Sequence, residues 1–106
     1  MYSVGIIGNG FVGNAIYQGI KERFDVLIYD TNPNRCAATF EDIDRLEMLF
    51  ICVPTPMTPD GHFDVSILNS AITKLSPGKI LIIKSTITPN SAEGLIVCFP
   101  EHKLIF

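Results

Sequence analysis

The segment Gly8-Asn9-Gly10-Phe11-Val12-Gly13, set between the apolar run Val4 to Ile7 and a stretch of helical periodicity, constrains this chain more than any other. Three glycines at this spacing have separate duties. Gly8 makes a tight strand-to-helix turn, Gly10 lets backbone come close to a diphosphate, and Gly13 allows a helix to pack hard against a strand. The helix N-terminus then faces the phosphates with unpaired N–H groups and the positive end of its dipole, which holds an anion without a basic side chain. Glycine-rich turns also arise for steric reasons alone, so the setting decides. Val4-Gly5-Ile6-Ile7 reads as a buried strand, and Val12, Ala15, Ile16, Gly19 and Ile20 recur at helical spacing on one face.

A second apolar run, Phe24 to Tyr29, ends in Asp30, 22 positions after Gly8. A carboxylate at about that offset, at the tip of the second strand, accepts hydrogen bonds from the adenosine ribose hydroxyls of a dinucleotide. An isolated Asp would read as a solvated turn residue; after this strand-helix-strand pattern ribose binding is the better reading. A carboxylate there repels a 2′-phosphate, so NAD is expected over NADP. Arg35 keeps the question open, since a nearby guanidinium can accept that phosphate.

Further apolar runs, Met48–Val53, Ile80–Ile83 and Leu104–Phe106, are continuous instead of alternating, as in strands buried on both faces. Helices are predicted near Phe11–Arg23, near Phe40–Leu46 behind Thr39, over Val65–Leu75 behind Asp64, and over Asn90–Val97 behind Thr88-Pro89. Such alternation predicts an α/β fold: one doubly wound parallel sheet of the Rossmann type with five strands, in the order 3-2-1-4-5. In such sheets ligands gather at the strand carboxyl ends. The glycine turn, Val53-Pro54-Thr55-Pro56 and Lys84-Ser85-Thr86 all fall there, whereas Pro56 to His62 reads as an exposed loop.

At 106 residues the chain is expected to form one domain, residues 1–106, able to bury roughly two thirds of its unfolded surface. A formal charge of −3 with scattered Lys and Arg offers no basic stripe, which argues against nucleic-acid binding. No apolar run approaches the roughly 18 residues a membrane span needs, nor is there a signal peptide; a soluble, cytoplasmic chain is expected. Cys36, Cys52 and Cys98 form an odd set without paired spacing, so neither a disulfide framework nor a metal site is expected. Cys52 reads as a small buried hydrophobe, and none of the three has the neighbours of a tuned thiolate. His62 and His102 read as surface loop residues.

Taken together, GNGFVG, then Asp30-Thr31-Asn32-Pro33-Asn34-Arg35, then FICVPTP, then IIKSTITP resemble the amino-terminal domain of the UDP-glucose/GDP-mannose dehydrogenase family along essentially the whole chain. That resemblance implies NAD as cofactor and a nucleotide-sugar substrate whose C6 hydroxymethyl group is oxidised to a carboxylate in two steps. It implies that Gly8, Gly10, Phe11, Val12 and Gly13 form the pyrophosphate loop and that Asp30 and Arg35 contact the adenosine ribose. Val53 and Thr55, in the VPTP turn, would line the cofactor cleft, with a turn hydroxyl as the other reading of Thr55. Ser85 and Thr86 match the motif near the nicotinamide, where the family's threonine is implicated in positioning a catalytic water. A hydroxyl suits that task because it both donates and accepts. Lys84 is expected to pack or pair locally.

Two departures accompany the resemblance. Pro89-Asn90-Ser91 stands where the family has Pro-Gly-Thr, and the family's catalytic cysteine, lysine and asparagine belong to later sequence. The chain is therefore expected to be a domain cut at a strand end and inactive alone. Nucleotide-sugar contacts would come mainly from the absent part, and a homodimer of the full-length form stays open. Two alternatives remain at this point: a non-catalytic NAD-binding regulatory domain, and the first domain of another NAD-dependent β-hydroxyacid-type dehydrogenase.

Overall fold

The computed structural model describes residues 2–106. Five strands form one parallel sheet: β1 (Ser3–Ile7), β2 (Asp25–Tyr29), β3 (Met48–Ile51), β4 (Ile80–Ile83) and β5 (Lys103–Ile105). Four α-helices connect them, α1 (Phe11–Ile20), α2 (Phe40–Asp44), α3 (Ser66–Thr73) and α4 (Pro89–Cys98), with a single 3-10 turn at Pro33–Arg35. The doubly wound Rossmann-type sheet is thus as the sequence predicts.

The strand order differs. It runs β2-β1-β3-β4-β5, not 3-2-1-4-5. The third strand sits on the free edge of β1, where it pairs with both β1 and β4, instead of lying outside β2. Its composition explains the position: Leu49 and Ile51 are completely buried, whereas β2 begins on the exposed Asp25 and forms the edge. Crossing back over β1 takes the chain in the direction opposite to the first crossover, and right-handed connections then put the two helices on opposite faces. Accordingly α2 lies over Gly5 through Ile43, while Gly13 of α1 approaches Ile6 on the other face. The reversal falls between β1 and β3, which places the crevice directly above the glycine turn.

One face of the sheet carries the core. Ile7, Leu49, Ile51, Leu81 and Ile83 pack with Ile43 of α2, Leu68 and Ile72 of α3 and Leu95 of α4. The other face is covered by α1, through Gly13 and the half-buried Ile16, Tyr17 and Ile20. Val12, Ala15 and Gly19, expected on the packing face, point outward, because the close approach at Gly13 turns the helix toward its neighbours one turn on. Caps fix the connections. Thr39 and Asp42 form a reciprocal capping box on α2, and the Thr88 hydroxyl accepts from the Ser91 amide at 3.2 Å to start α4.

At the amino ends of β3, β4 and β5 a polar clasp closes the domain. Buried Lys79 donates from Nζ to the carbonyls of Asp44 and Leu46, satisfying the open end of α2. Ser76 holds the Asp44 carboxylate through its amide and hydroxyl. His102, expected at the surface, is only 8% exposed, and its Nδ1 accepts from the Lys79 amide at 3.2 Å. Burial drives the imidazole pKa below its ordinary value, and Lys79 adds to that; Glu101 and Asp44 oppose it. A depressed folded-state value means that the neutral ring is favoured on folding. Its stabilisation is present above the unfolded pKa of about 6.5 and is lost as pH falls through the lower folded value. Thermal melts should therefore drop as pH falls through and below the ordinary imidazole value of about 6.5. His102→Gln, which keeps an acceptor, should flatten that part of the profile.

Candidate functional site

The carboxyl ends of β1 to β4 surround a cleft of about 510 Å³. Its floor is the turn after β1. Gly8 holds φ at +99°, a region that L side chains rarely adopt, and a Cβ there would stand 2.6 Å from the Cys52 carbonyl oxygen. Gly13 is packed so closely that a Cβ would lie 1.9 Å from the Gly8 oxygen. Gly10 is different, for a Cβ would meet nothing within 4 Å. Two glycines therefore serve the fold, and the third leaves room at the cleft.

Gly10 is the N-cap of α1 and gives it no side-chain cap, and the first turn has no acidic residue. The first helical bond runs from the Asn14 amide to the Gly10 carbonyl at 3.0 Å. Amides of Phe11, Val12 and Gly13 thus precede the hydrogen-bonded ladder at an uncapped helix start beside open space. This is a place for an anion. Phe11 projects at the rim, 95% exposed.

Asp30 stands at the tip of β2, oriented by two amides. Its Oδ2 accepts from Asn9 N at 2.7 Å, and its Oδ1 accepts from Asn32 N at 2.8 Å. A carboxylate offers about four lone-pair positions, so acceptor capacity remains for a pair of vicinal hydroxyls. Arg35 lines the same cleft. The opposite wall comes from β3 and β4, stitched together by hydroxyls: Thr55 Oγ1 donates to the Thr86 carbonyl at 2.6 Å, and Ser85 Oγ donates to the Val53 carbonyl at 2.7 Å. Thr55 accordingly has the turn-hydroxyl role as well as a place on the cleft. Thr86 is exposed to the cleft.

The structure thus brings Gly8, Gly10, Phe11, Val12, Asp30, Arg35, Val53, Thr55, Ser85 and Thr86 onto one cleft, with Gly13 buried behind the turn. The sequence reading missed several neighbours. Asn9 and Asn32 orient Asp30, and Cys52, Lys84 and Phe63 also line the cleft. Phe63 returns to the site because Met57 and Phe63 pair across the loop in an antiparallel bridge, a local tie that hydropathy does not reveal. Cys52, at the end of β3, is not a nucleophile in waiting. Burial pushes its thiol up to about 11, against the opposing influence of Lys84, so it stays protonated at neutral pH. Among the described residues, no three His, Cys, Asp or Glu side chains are grouped to hold a metal ion. Nor is any helix long and apolar enough to cross a membrane.

A parallel sheet with a glycine turn at its reversal point, a bare helix start and a carboxylate on the next strand defines a dinucleotide-binding domain. The family described as UDP-glucose/GDP-mannose dehydrogenase, NAD binding domain, matches residues 36–104. This chain belongs to that family, and the family's domain takes NAD. The UDP-glucose 6-dehydrogenase of Rickettsia bellii is 37% identical over 70 residues, an alignment covering 62% of this chain and 16% of that protein. The solved UDP-glucose dehydrogenase of Pyrobaculum islandicum shares the fold at a TM-score of 0.78 and 24% identity, covering 98% of this chain and 34% of that one. A GDP-mannose dehydrogenase from Pseudomonas aeruginosa, solved as a ternary complex, aligns at a TM-score of 0.77 and 14% identity over 95% of this chain and 34% of its own. The chain therefore spans about a third or less of the length of these relatives.

Proposed function

We propose that residues 1–106 are the NAD-binding unit of a nucleotide-sugar 6-dehydrogenase, which oxidises the C6 hydroxymethyl group of UDP-glucose or a related sugar nucleotide to the uronate. The observation that carries this reading is the pairing of an uncapped helix start with an amide-anchored carboxylate across one turn. In this arrangement the amides of Phe11, Val12 and Gly13 would receive the pyrophosphate. Asp30 would receive the adenosine ribose hydroxyls, and Val53 and Thr55 would wall the cleft. Bound NAD supplies the hydride acceptor for each of the two oxidations. Ser85 and Thr86 lie where the nicotinamide end would fall. Ser85 ties the β4 loop to β3, and Thr86, on the cleft lining, would orient a water through its hydroxyl by donating and accepting hydrogen bonds. The regulatory-domain alternative leaves those two residues without a ligand.

A covalent route through the aldehyde needs a thiolate at the cleft; Cys52, the cysteine that lines it, is held protonated, and Cys36 and Cys98 are not among the lining residues. Catalysis would therefore depend on residues outside these 106. The purified chain is expected to bind NAD yet to form no NADH from UDP-glucose or GDP-mannose. Turnover at an enzyme-like rate by this chain would overturn the division of labour.

A further inference from the structure

The link between the glycine turn and the ribose carboxylate runs through a residue to which the glycine pattern gives no role. Asn9 is the variable position between Gly8 and Gly10. Its amide donates to Asp30 Oδ2 at 2.7 Å, and its side-chain Nδ2 donates to the Arg35 carbonyl at 2.9 Å. Its Oδ1 is buried without a partner. Reversing the amide would direct oxygen against the Arg35 carbonyl oxygen, so the donor interaction fixes this orientation. The 3-10 turn that carries Arg35 is set from its other end as well: Asn32 caps it through Oδ1, accepting from Asn34 N at 3.0 Å, and Asn32 N holds Asp30 Oδ1. The Asp30 carboxylate, through the Asn9 main-chain amide, and the Arg35 backbone, through the Asn9 side chain, are thus both tied to the phosphate turn at one asparagine.

Resting on the proposed cofactor reading, we infer that Asn9 is a positioning residue that sets the discrimination between a free and a phosphorylated ribose 2′ position. With the clamp intact, the carboxylate stays forward and the Arg35 segment is held at fixed separation from the turn. Without the Nδ2 bond the segment carrying the guanidinium is no longer tied to the turn, whereas the carboxylate keeps both of its main-chain amides. A free 2′-hydroxyl then binds much as before, whereas a 2′-phosphate gains, because the guanidinium can move to meet it.

The test is calorimetric titration of the 106-residue chain with NAD, NADP and ADP-ribose, for wild type, Asn9→Ala, Asp30→Ala and the double variant. Asn9→Ala is expected to change NAD and ADP-ribose by less than about threefold and to tighten NADP by about fivefold, so that the NAD:NADP ratio shrinks. In the Asp30→Ala background the same change should tighten NADP by a similar factor, because the Asn9 side chain acts on the Arg35 segment and not through the carboxylate. Asn9→Ser, which retains a small polar side chain at the turn, serves if thermal melting shows Asn9→Ala to be unfolded. An equal change for NAD and NADP, or no gain in NADP affinity in either background, would leave Asn9 a merely structural residue and overturn this inference alone. Failure of the wild-type chain to bind NAD would remove the cofactor reading, and the inference with it.

Discussion

Gly10→Asp is expected to stabilise the protein and to abolish its affinity for NAD. The N-cap of α1 holds an extended conformation, φ −85° and ψ −151°, that aspartate adopts without strain, and nothing stands within 4 Å of the added Cβ. An aspartate there would accept from the amides of the first turn and complement the helix dipole, contributions of about 0.3–1 kcal/mol. For a domain of this size that raises Tm by a few degrees, roughly 2–6 °C. The same carboxylate would occupy the amides proposed for the pyrophosphate and oppose it with like charge. Such juxtapositions cost several kcal/mol, which converts to about a hundredfold or more in Kd. Differential scanning calorimetry and an NAD titration on one sample would measure both. Gly10→Asp binding NAD as tightly as wild type would show that the helix start is not the phosphate site.

Gly13→Ala should behave in the opposite way, with stability and binding falling together. Its methyl would be placed 1.9 Å from the Gly8 carbonyl oxygen, which is backbone and cannot rotate away. Relief requires α1 to move off β1 or the turn to open, and overpacking of this kind costs about 3 kcal/mol or more. A domain of this length has about 5–15 kcal/mol of net stability, so the loss lowers Tm on the order of 15 °C or leaves the chain unfolded. Any folded remainder should bind NAD poorly because the Phe11 and Val12 amides shift with the helix. A Gly13→Ala melting curve matching that of wild type would mean that helix and turn are not in the contact described. Two glycines of one motif thus separate into a position required by the fold and a position free for the ligand.

That separation shows how far local sequence reached. Strand, turn, helix and the acid after β2 were legible because each is governed by short-range rules: φ at Gly8, close approach at Gly13, apolar runs for the strands. The caps at Thr39 and Thr88 were legible for the same reason. Strand order was not. Whether β3 lies outside β2 or beside β1 depends on which face receives α2, a choice decided by the burial of Leu49 and Ile51 and by the exposed start of β2. His102 reads as a loop residue from its neighbours, yet it is buried because Lys79, 23 positions earlier, presents an amide to it. At the site, the positions of Asp30 and Arg35 were legible but the clamp that joins them was not. A contact from Asn9 to a carbonyl 26 residues away leaves no periodicity in the sequence.

The turn after β1 and the carboxylate at the tip of β2 are proposed to act together as the cofactor site. Isothermal titration of the wild-type chain and of Asp30→Ala with NAD and NADP tests it most directly. NAD is expected to bind the wild-type chain in preference to NADP, and Asp30→Ala to lose about tenfold or more in NAD affinity. Undiminished NAD affinity in Asp30→Ala, or tighter binding of NADP by the wild-type chain, would contradict it.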